Sequence, residues 1–509
     1  MSVRFKYNLL PVVNKLVQVT LMALLPRIVE RAPSLFALLM AVVGWSVGAG
    51  NYWRFSWRAA NYGGGSFLLA YLVWLIITAF VLAVAEYAIG KIGRGGPLHG
   101  PYNFVERYKR FAAFAGMWMA WASFMILCYY WVVTGWIFYY MLHAIAGTFT
   151  RPDFDALALW NGFKETYLSW GIGVLMMVGS IIVTGFGVRG ISLVARVMFP
   201  ILFFATLGLA IYSLTLPGAY EGLRFYMVPK AEALVDPATW MQSLSQVIWS
   251  IGIAWGFFIA AGAWLRRRDD VTHLAFGNVV NDTAVAWMAG LAIIPLIFAI
   301  SPTPYEDIKA AGTGLAFVTL PRLFHEMGGV AGYLYGLLFF VAFWFAAFTS
   351  LYTIHEVVLR PLKDLGVRPL YAALITGVIA IVTGTPTALS LTWLDYYDTV
   401  WGIIGLSAGL VFIALMAGFL VDTARVRMEL MKVEPKPLIP LGAWWDVLVK
   451  VNVVIPVFFF IWWIAYWEWW RGWDEGLHTY YTWPGLAILI IGGLMIYYVT
   501  GKVVERAKG

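Results

Sequence analysis

Charged side chains are scarce in this sequence. Only 12% of its 509 residues are Asp, Glu, Lys or Arg, whereas 61% are hydrophobic. A water-soluble domain carries about twice that charged fraction, so a soluble protein is excluded. Apolar runs of roughly 20 residues recur along the chain, each long enough to cross a hydrocarbon core of about 30 Å. The sequence therefore predicts an all-α polytopic membrane protein with about 12 transmembrane helices.

Cysteine and histidine are also scarce, which limits the available chemistry. The single cysteine, Cys128, excludes an intramolecular disulfide and a metal site built from cysteines. The six histidines are scattered along the chain. Two of them precede a glutamate, but neither pair has the second histidine one helical turn on that a zinc protease needs. The sequence therefore does not predict an enzyme.

The formal net charge of +8 comes from basic residues that cluster in every second loop between the predicted spans. This distribution follows the positive-inside rule and places both termini in the cytoplasm, in a multi-pass protein of the cell membrane. It also explains the positive charge without a nucleic-acid partner. The predicted spans are 35–60, 64–90, 111–146, 167–186, 190–214, 240–267, 274–300, 330–361, 368–386, 393–422, 444–470 and 480–500.

Two of these spans are interrupted by glycines and polar residues. The first contains GWSVGAGNYWRF (44–55) and the sixth contains QSLSQVIWSIGIAWG (242–256). A small-xxx-small packing pattern explains the glycine spacing of the first stretch, but not the Asn51 and Arg54 that follow it, nor the matched interruption. Backbone released from a helix is tolerated at membrane depth where it lines a cavity. We therefore expect 44–50 to be an unwound hinge at a transporter binding site.

The two interruptions begin two halves of the chain, which predicts a 5+5 inverted repeat with discontinuous helices 1 and 6. The divisions that follow from this arrangement are a cytoplasmic amphipathic segment (1–34), a first repeat (35–214), an extracellular connection (215–239), a second repeat with an extracellular loop at 301–328 (240–422), and helices 11 and 12 with a cytoplasmic C-terminus (423–509).

Neutral polar residues lie at mid-depth on several predicted spans. Asn51, Ser250 and Asn281 are on three of them, and Thr349 and Ser350 are on a fourth. A hard cation such as Na⁺ requires several oxygen ligands, and such side chains supply them without permanent charge in lipid. An isolated serine or threonine can instead bond to its own helix, whereas a buried asparagine needs partners for its amide.

Several stretches in one order resemble the neurotransmitter:sodium symporter family, in particular its bacterial amino-acid carriers with the leucine-transporter fold. The similarity spans roughly residues 35–500 and is strongest at GWSVGAGNYWRFSWRAANYGGGSF, VAEYAIG, GTGLAFVTLP and FTS. It implies a sodium-coupled secondary active symporter that imports an amino acid by alternating access, as a monomer or homodimer. The alternatives are a non-transporting amino-acid-binding sensor on the same fold, or a symporter for another small amine or zwitterion.

The resemblance implies two sodium sites, with chloride left open. Tyr71, Gln246, Ser250 and Asn281 match chloride positions, but Val285 stands where relatives have serine or glutamate. The first sodium site would use the carbonyl of Ser46 and the side chains of Asn51, Ser250 and Asn281. The second would use the carbonyls of Gly44, Val47 and Ala346 with the hydroxyls of Thr349 and Ser350.

The resemblance also implies substrate and gate residues. Monoamine carriers have an aspartate where this chain has Gly48, which favours an amino acid. Arg54 and Asp398 match the outer gate and Asp364 an acid of the inner gate. The Arg-x-x-Trp partner motif of relatives is absent, and the nearby residues are Arg27 and Arg31 in IVERAPSLF. The implied substrate-binding residues are Ser46, Ala49, Gly50, Ile126, Tyr130, Trp249, Ser250, Gly252, Trp255, Ser350 and Ile354.

Two further residues stand out in the apolar spans. Glu86 is the most costly charge, and we expect it to bond neighbouring backbone rather than to act as a counter-charge to the substrate. Trp45 is a bulky residue beside the first interruption, where relatives often carry something small and polar, and the sequence offers no reason for it.

Overall fold

The computed structural model describes residues 34–309, 312–434, 436–458, 461 and 477–506, and helices dominate these residues without any β-strand among them. The predicted all-α class is confirmed. Arg27, Arg31 and nearly all of the predicted amphipathic segment lie outside the described residues, as does much of the predicted span 444–470.

Within the described part of the chain, nine helices are long and apolar enough to cross a membrane. Two further pairs of shorter helices form the interrupted spans. The helices used below are α1 (Leu35–Ser46), α2 (Ala49–Asn61), α3 (Gly65–Gly93), α4 (Lys109–Ile145), α5 (Tyr167–Gly185), α6 (Gly187–Leu214), α7 (Pro237–Ile251), α8 (Phe257–Trp264), α9 (Val271–Ile300), α10 (Gly329–Asp364), α11 (Pro369–Leu389), α12 (Leu391–Gly418), α13 (Ala443–Val451) and α14 (Leu477–Arg506).

Both predicted interruptions are present, but the first is shorter than expected. Helix α1 continues to Ser46 and α2 begins at Ala49, so only Val47 and Gly48 separate them. Gly44, Ala49 and Gly50 are helical, which corrects the expected hinge at 44–50. The second break runs over residues 252–256 between α7 and α8. A short break suffices at α1 because Gly48 adopts an extended conformation that changes the chain direction at one residue.

Long helices surround the broken ones and hold them in place. α10 packs along α4, α6 along α9, and α11 along α5. α3 packs closely on α8: a Cβ at Gly90 would lie 1.9 Å from the carbonyl oxygen of Ile259, so the contact requires glycine. The core beneath these contacts is continuous and rich in aromatic side chains. The breaks therefore lie inside a closely packed bundle of helices.

The segment predicted as a structured loop at 301–328 is made of short helical pieces in the described residues. These are Pro304–Asp307, Gly312–Gly314, Leu315–Thr319 and Leu320–Met327. Arg322 of the last piece pairs with Asp307 at 2.5 Å, which ties its two ends together.

Candidate sodium and substrate site

The first break lies against α10, which supplies two hydroxyl groups to it. A Cβ at Gly48 would lie 2.6 Å from the Ser350 Oγ and 3.0 Å from the Tyr130 hydroxyl, so this approach requires glycine. Ser350 Oγ donates to the carbonyl of Trp45 at 2.9 Å. The hydroxyl of Tyr130, on α4, accepts from the backbone N–H of Ala49 at 3.1 Å. Side chains of α4 and α10 therefore fix the break from one side.

The predicted second sodium set converges at this contact. Thr349 Oγ1 lies 3.0 Å from the carbonyl oxygen of Ala346 and 3.5 Å from that of Val47. Ser350 Oγ lies 3.3 Å from the same Val47 oxygen, and Gly44 faces Thr349, whose Cβ is 3.7 Å from the position of a Gly44 Cβ. Carbonyl and hydroxyl oxygens with no net charge are a donor set suited to Na⁺.

A second polar cluster joins α2, α7 and α9. The side-chain amide of Asn51 donates to Asp282 Oδ1 at 2.7 Å and to Ser250 Oγ at 3.3 Å. Ser250 Oγ in turn donates to Asp282 Oδ2 at 2.8 Å. Ser46 lies nearby, and its hydroxyl donates to Asn278 Oδ1 at 2.6 Å. All five side chains are buried, and the structure brings Ser46, Asn51 and Ser250 together. The contact of Ser46 is made by its hydroxyl, whereas the prediction names its carbonyl.

The structure does not bring Asn281 to this cluster. Its amide donates to the carbonyl of Gly277 in its own helix at 2.7 Å, and the side chain is half-buried. Successive residues of a helix differ in direction by about 100°, so Asn281 points away from Asp282. Asn278 and Asp282, four residues apart, share the face that meets α2 and α7. The prediction that Asn281 belongs to this cluster is wrong, and Asn278 and Asp282 are the residues of α9 that belong to it.

The second break is held by Glu86 of α3. Its two carboxylate oxygens accept the backbone N–H groups of Ala254 at 3.0 Å and of Gly256 at 3.2 Å. Ala254 has a positive φ of 69°, which is unfavourable for a residue with a Cβ, and the carboxylate stabilises that conformation. Glu86 therefore bonds backbone, as expected from the sequence.

A cavity lies between the two breaks and is lined by most of the predicted substrate residues. Ala49 and Ile126 do not line it: Ala49 contributes its N–H to Tyr130, and Ile126 is fully buried. Trp45, Gly48, Asn51 and Gln246 also line it. The predicted residues that do so are Ser46, Gly50, Tyr130, Trp249, Ser250, Gly252, Trp255, Ser350 and Ile354.

One end of the cavity is closed by aromatic side chains between the two predicted outer-gate residues. The Arg54 guanidinium lies 4.4 Å from the centre of the Trp249 ring. Trp249 Nε1 donates to the carbonyl of Gly402 at 2.8 Å, and the Tyr129 hydroxyl donates to Asp398 Oδ1 at 2.7 Å. Within the described residues Arg54 therefore contacts Trp249 and Asp398 contacts Tyr129, and the two gate residues form no direct ion pair.

The predicted inner-gate residue, Asp364, lies at the far end of α10. Its Oδ1 accepts the backbone N–H of Gly96 at 3.2 Å and lies 3.4 Å from Arg360 Nε. Asp364 therefore joins α10 to the loop after α3. Asn103 of the neighbouring helical turn also bonds this loop, at the carbonyl of Gly93.

Sequence reasoning missed Asn278, Asp282 and Trp45. A signal for Asp282 was present, because an ionisable residue inside a membrane helix needs partners more than an asparagine does. The place of Trp45 in the cavity wall depends on the relative position of two broken helices, and no local pattern in the sequence encodes it.

Comparison with known proteins shows the family of the chain. The model of the sodium:neurotransmitter symporter family matches residues 33–162 and 154–500. An uncharacterised sodium-dependent transporter of Methanocaldococcus jannaschii is 28% identical over 451 residues, 84% of this chain and 88% of that protein. One from Bacillus subtilis is also 28% identical, over 70% of this chain and 78% of the relative.

A solved structure shows a similar fold. The crystal structure of MhsT in complex with L-phenylalanine superimposes with a TM-score of 0.76 and 27% sequence identity, and covers 85% of this chain and 99% of the other. Family match, relatives and fold agree over most of the chain. The protein is a multi-pass membrane protein that belongs to the sodium:neurotransmitter symporter family.

Proposed function

We propose that this protein is a sodium-coupled symporter that imports an amino acid by alternating access. The observation that carries the proposal is that one cavity shares its walls with both oxygen clusters. Ser46, Asn51 and Ser250 belong to the cavity and to the first cluster, and Ser350 belongs to the cavity and to the second set. Ions and substrate bound there would touch the same side chains, so each would raise the affinity of the other.

The backbone at the first break suits the carboxylate of an amino acid. Helix α2 begins at Ala49, and the N-terminus of a helix presents N–H groups and positive potential to an anion. Gly48 carries no side chain and Gly50 lines the cavity, with nothing within 4 Å of a Cβ there. MhsT, the structural neighbour, was crystallised with an amino acid. These features favour an amino acid over an amine without a carboxylate.

Asp282 bears on the question of chloride. Its carboxylate spans Asn51 and Ser250, and the hydroxyl of Tyr71 lies beside it. Tyr71 and Ser250 are two of the residues that match chloride positions. Because Asp282 places an acidic side chain among them, we infer that two sodium ions bind without chloride. Uptake should therefore be unchanged when gluconate replaces chloride.

The inverted repeat supplies the alternating motion. Each break lies near the start of one five-helix half, in 35–214 and 240–422, with both termini in the cytoplasm and the first-break half-helix α2 facing outward. The broken helices would move against α4 and α10, whose side chains hold them now. Helices beyond 423 lie outside the repeat.

The test is uptake of a panel of labelled amino acids into proteoliposomes, with an inward Na⁺ gradient or with K⁺ in its place. The expected result is accumulation that depends on the gradient and is abolished by a sodium ionophore. Uptake that ignores sodium contradicts the coupling. Binding of an amino acid without any flux supports the sensor instead.

A further inference from the structure

Trp45 belongs to the wall of the substrate cavity. Its ring stacks on Phe257 with centres 4.4 Å apart and an interplanar angle of 11°. It meets Trp255 edge-on at 5.4 Å, and Trp255 meets Trp249 in the same way at 5.2 Å. Trp45 is only 4% exposed. The stack fixes the ring, because rotating it would break two aromatic contacts.

Gly252 is matched to this tryptophan. A Cβ at Gly252 would lie 2.0 Å from Trp45 Nε1, and Gly252 has a positive φ of 81°. The indole of α1 therefore occupies the space that a side chain on the second break would fill. Trp45 and Gly252 form one complementary pair across the two breaks, which accounts for both unusual residues together.

The pair leaves hydrogen-bond donors without acceptors. Trp45 Nε1 and Trp255 Nε1 are both buried, and neither has a hydrogen-bond partner among the described residues. Both residues line the same cavity. The side-chain amide of Gln246, which lines the same cavity, is unpaired as well. Buried donors are almost always paired, so unpaired donors at one cavity point to an acceptor that arrives with the ligand.

The cavity is also small. The volume that water-sized groups can reach is about 30 Å³, and one water molecule needs about 10–15 Å³ on that measure. The indole of Trp45 and the ring of Trp255 form part of its wall. A long aliphatic or aromatic substrate side chain would have to displace one of them.

We propose that Trp45 determines substrate specificity, and that the substrate is an amino acid with a short side chain ending in an oxygen acceptor, such as L-serine. The indole N–H of Trp45 donates to that oxygen, with Trp255 as the second donor. This inference rests on the proposed amino-acid transport and names its substrate class.

The test compares L-serine with L-2-aminobutyrate, in which a methyl group replaces the hydroxyl. Their affinities for the purified full-length protein are measured by titration calorimetry in Na⁺ and again in K⁺. The wild type should bind L-serine more tightly by about 2- to 12-fold, the range that one net hydrogen bond supports. L-Leucine and L-phenylalanine should bind more weakly than either.

Trp45→Phe keeps an aromatic ring but removes the N–H, and should reduce the preference for L-serine to below about 2-fold. Trp287→Phe is the matched control, because its Nε1 is also unpaired but lies outside the cavity; it should keep the preference. If the Trp45 variant does not fold, Trp255→Phe and the wild-type ligand pair still decide the question.

Equal binding of the two ligands by the wild type, no binding of either, or an unchanged preference in a folded Trp45→Phe protein overturns the inference. A preference that is retained in K⁺ with the same affinities supports the role of Trp45 but contradicts the proposed sodium coupling. The two failures are therefore distinguishable.

Discussion

The two helix breaks differ in length and in what holds them. The first consists of Val47 and Gly48 and is fixed by hydroxyl groups of α4 and α10. The second is five residues long, and Gly252, Ala254 and Gly256 in it have positive φ angles of 81°, 69° and 83°. A carboxylate from α3 fixes it.

This difference separates two tasks. At the first break, backbone carbonyl oxygens lie beside neutral hydroxyl groups, and together these atoms are suited to bind a cation. At the second, Glu86 takes up the N–H groups, while Ser123 donates to the carbonyl of Trp255 at 2.8 Å and Asn278 to that of Ile251 at 3.2 Å. The first break therefore has oxygen atoms that suit a cation, whereas hydrogen bonds from neighbouring helices hold the backbone of the second break in one conformation.

Glu86→Gln tests whether the Glu86 carboxylate stabilises the second break, and it should have the largest effect on stability. A neutral amide has one acceptor oxygen, so one of the two backbone N–H groups would face an NH₂ group. Leaving a buried donor unsatisfied costs about 1–3 kcal/mol, and Ala254 would lose the support for its conformation. We expect a lower midpoint of thermal unfolding in detergent together with weaker substrate binding.

The control for this change is Glu232→Gln, at an exposed position between α6 and α7. Surface substitutions usually change stability by less than about 0.5 kcal/mol. If both variants unfold at the same temperature, Glu86 does not stabilise the second break.

The two breaks also differ in how much of them the sequence predicts. The first break and its partners Thr349 and Ser350 were found because glycines and hydroxyl residues in an apolar run are conspicuous. Glu86 was found because a lone charge is costly there. The face of α9 was misjudged, since FGNVVNDTA offers three polar residues and only packing against α2 and α7 decides which of them point inward.

Asp282→Asn and Asn281→Ala test which of these two residues of α9 contributes to sodium binding beside the first break. Asp282 bonds both Asn51 and Ser250, so loss of its charge should weaken sodium activation of uptake by about tenfold, equivalent to about 1.4 kcal/mol. Asn281→Ala removes only a bond within its own helix and should change activation less than twofold. The measurement is the sodium concentration for half-maximal uptake. A larger effect of Asn281→Ala would support Asn281, rather than Asp282, as a residue of the first sodium site.

Gly252→Ala tests the close contact between the breaks and should also lower stability. The added Cβ meets Trp45 Nε1 and the positive φ disfavours alanine, a combined cost of about 1–3 kcal/mol. Gly50→Ala is the control, since nothing lies within 4 Å of its Cβ. The midpoint of thermal unfolding should be lower for Gly252→Ala than for Gly50→Ala. Equal midpoints would show that the Trp45 ring can move aside without loss of stability.

Sodium and an amino acid are proposed to bind side chains in common at the first break. The most direct test is the affinity of the purified protein for its best amino acid, measured over a series of sodium concentrations in the wild type and in Asn51→Ala. We predict that sodium increases the wild-type affinity at least tenfold, and that Asn51→Ala removes most of this dependence. An affinity that is independent of sodium, or an equal dependence in both proteins, would contradict the account.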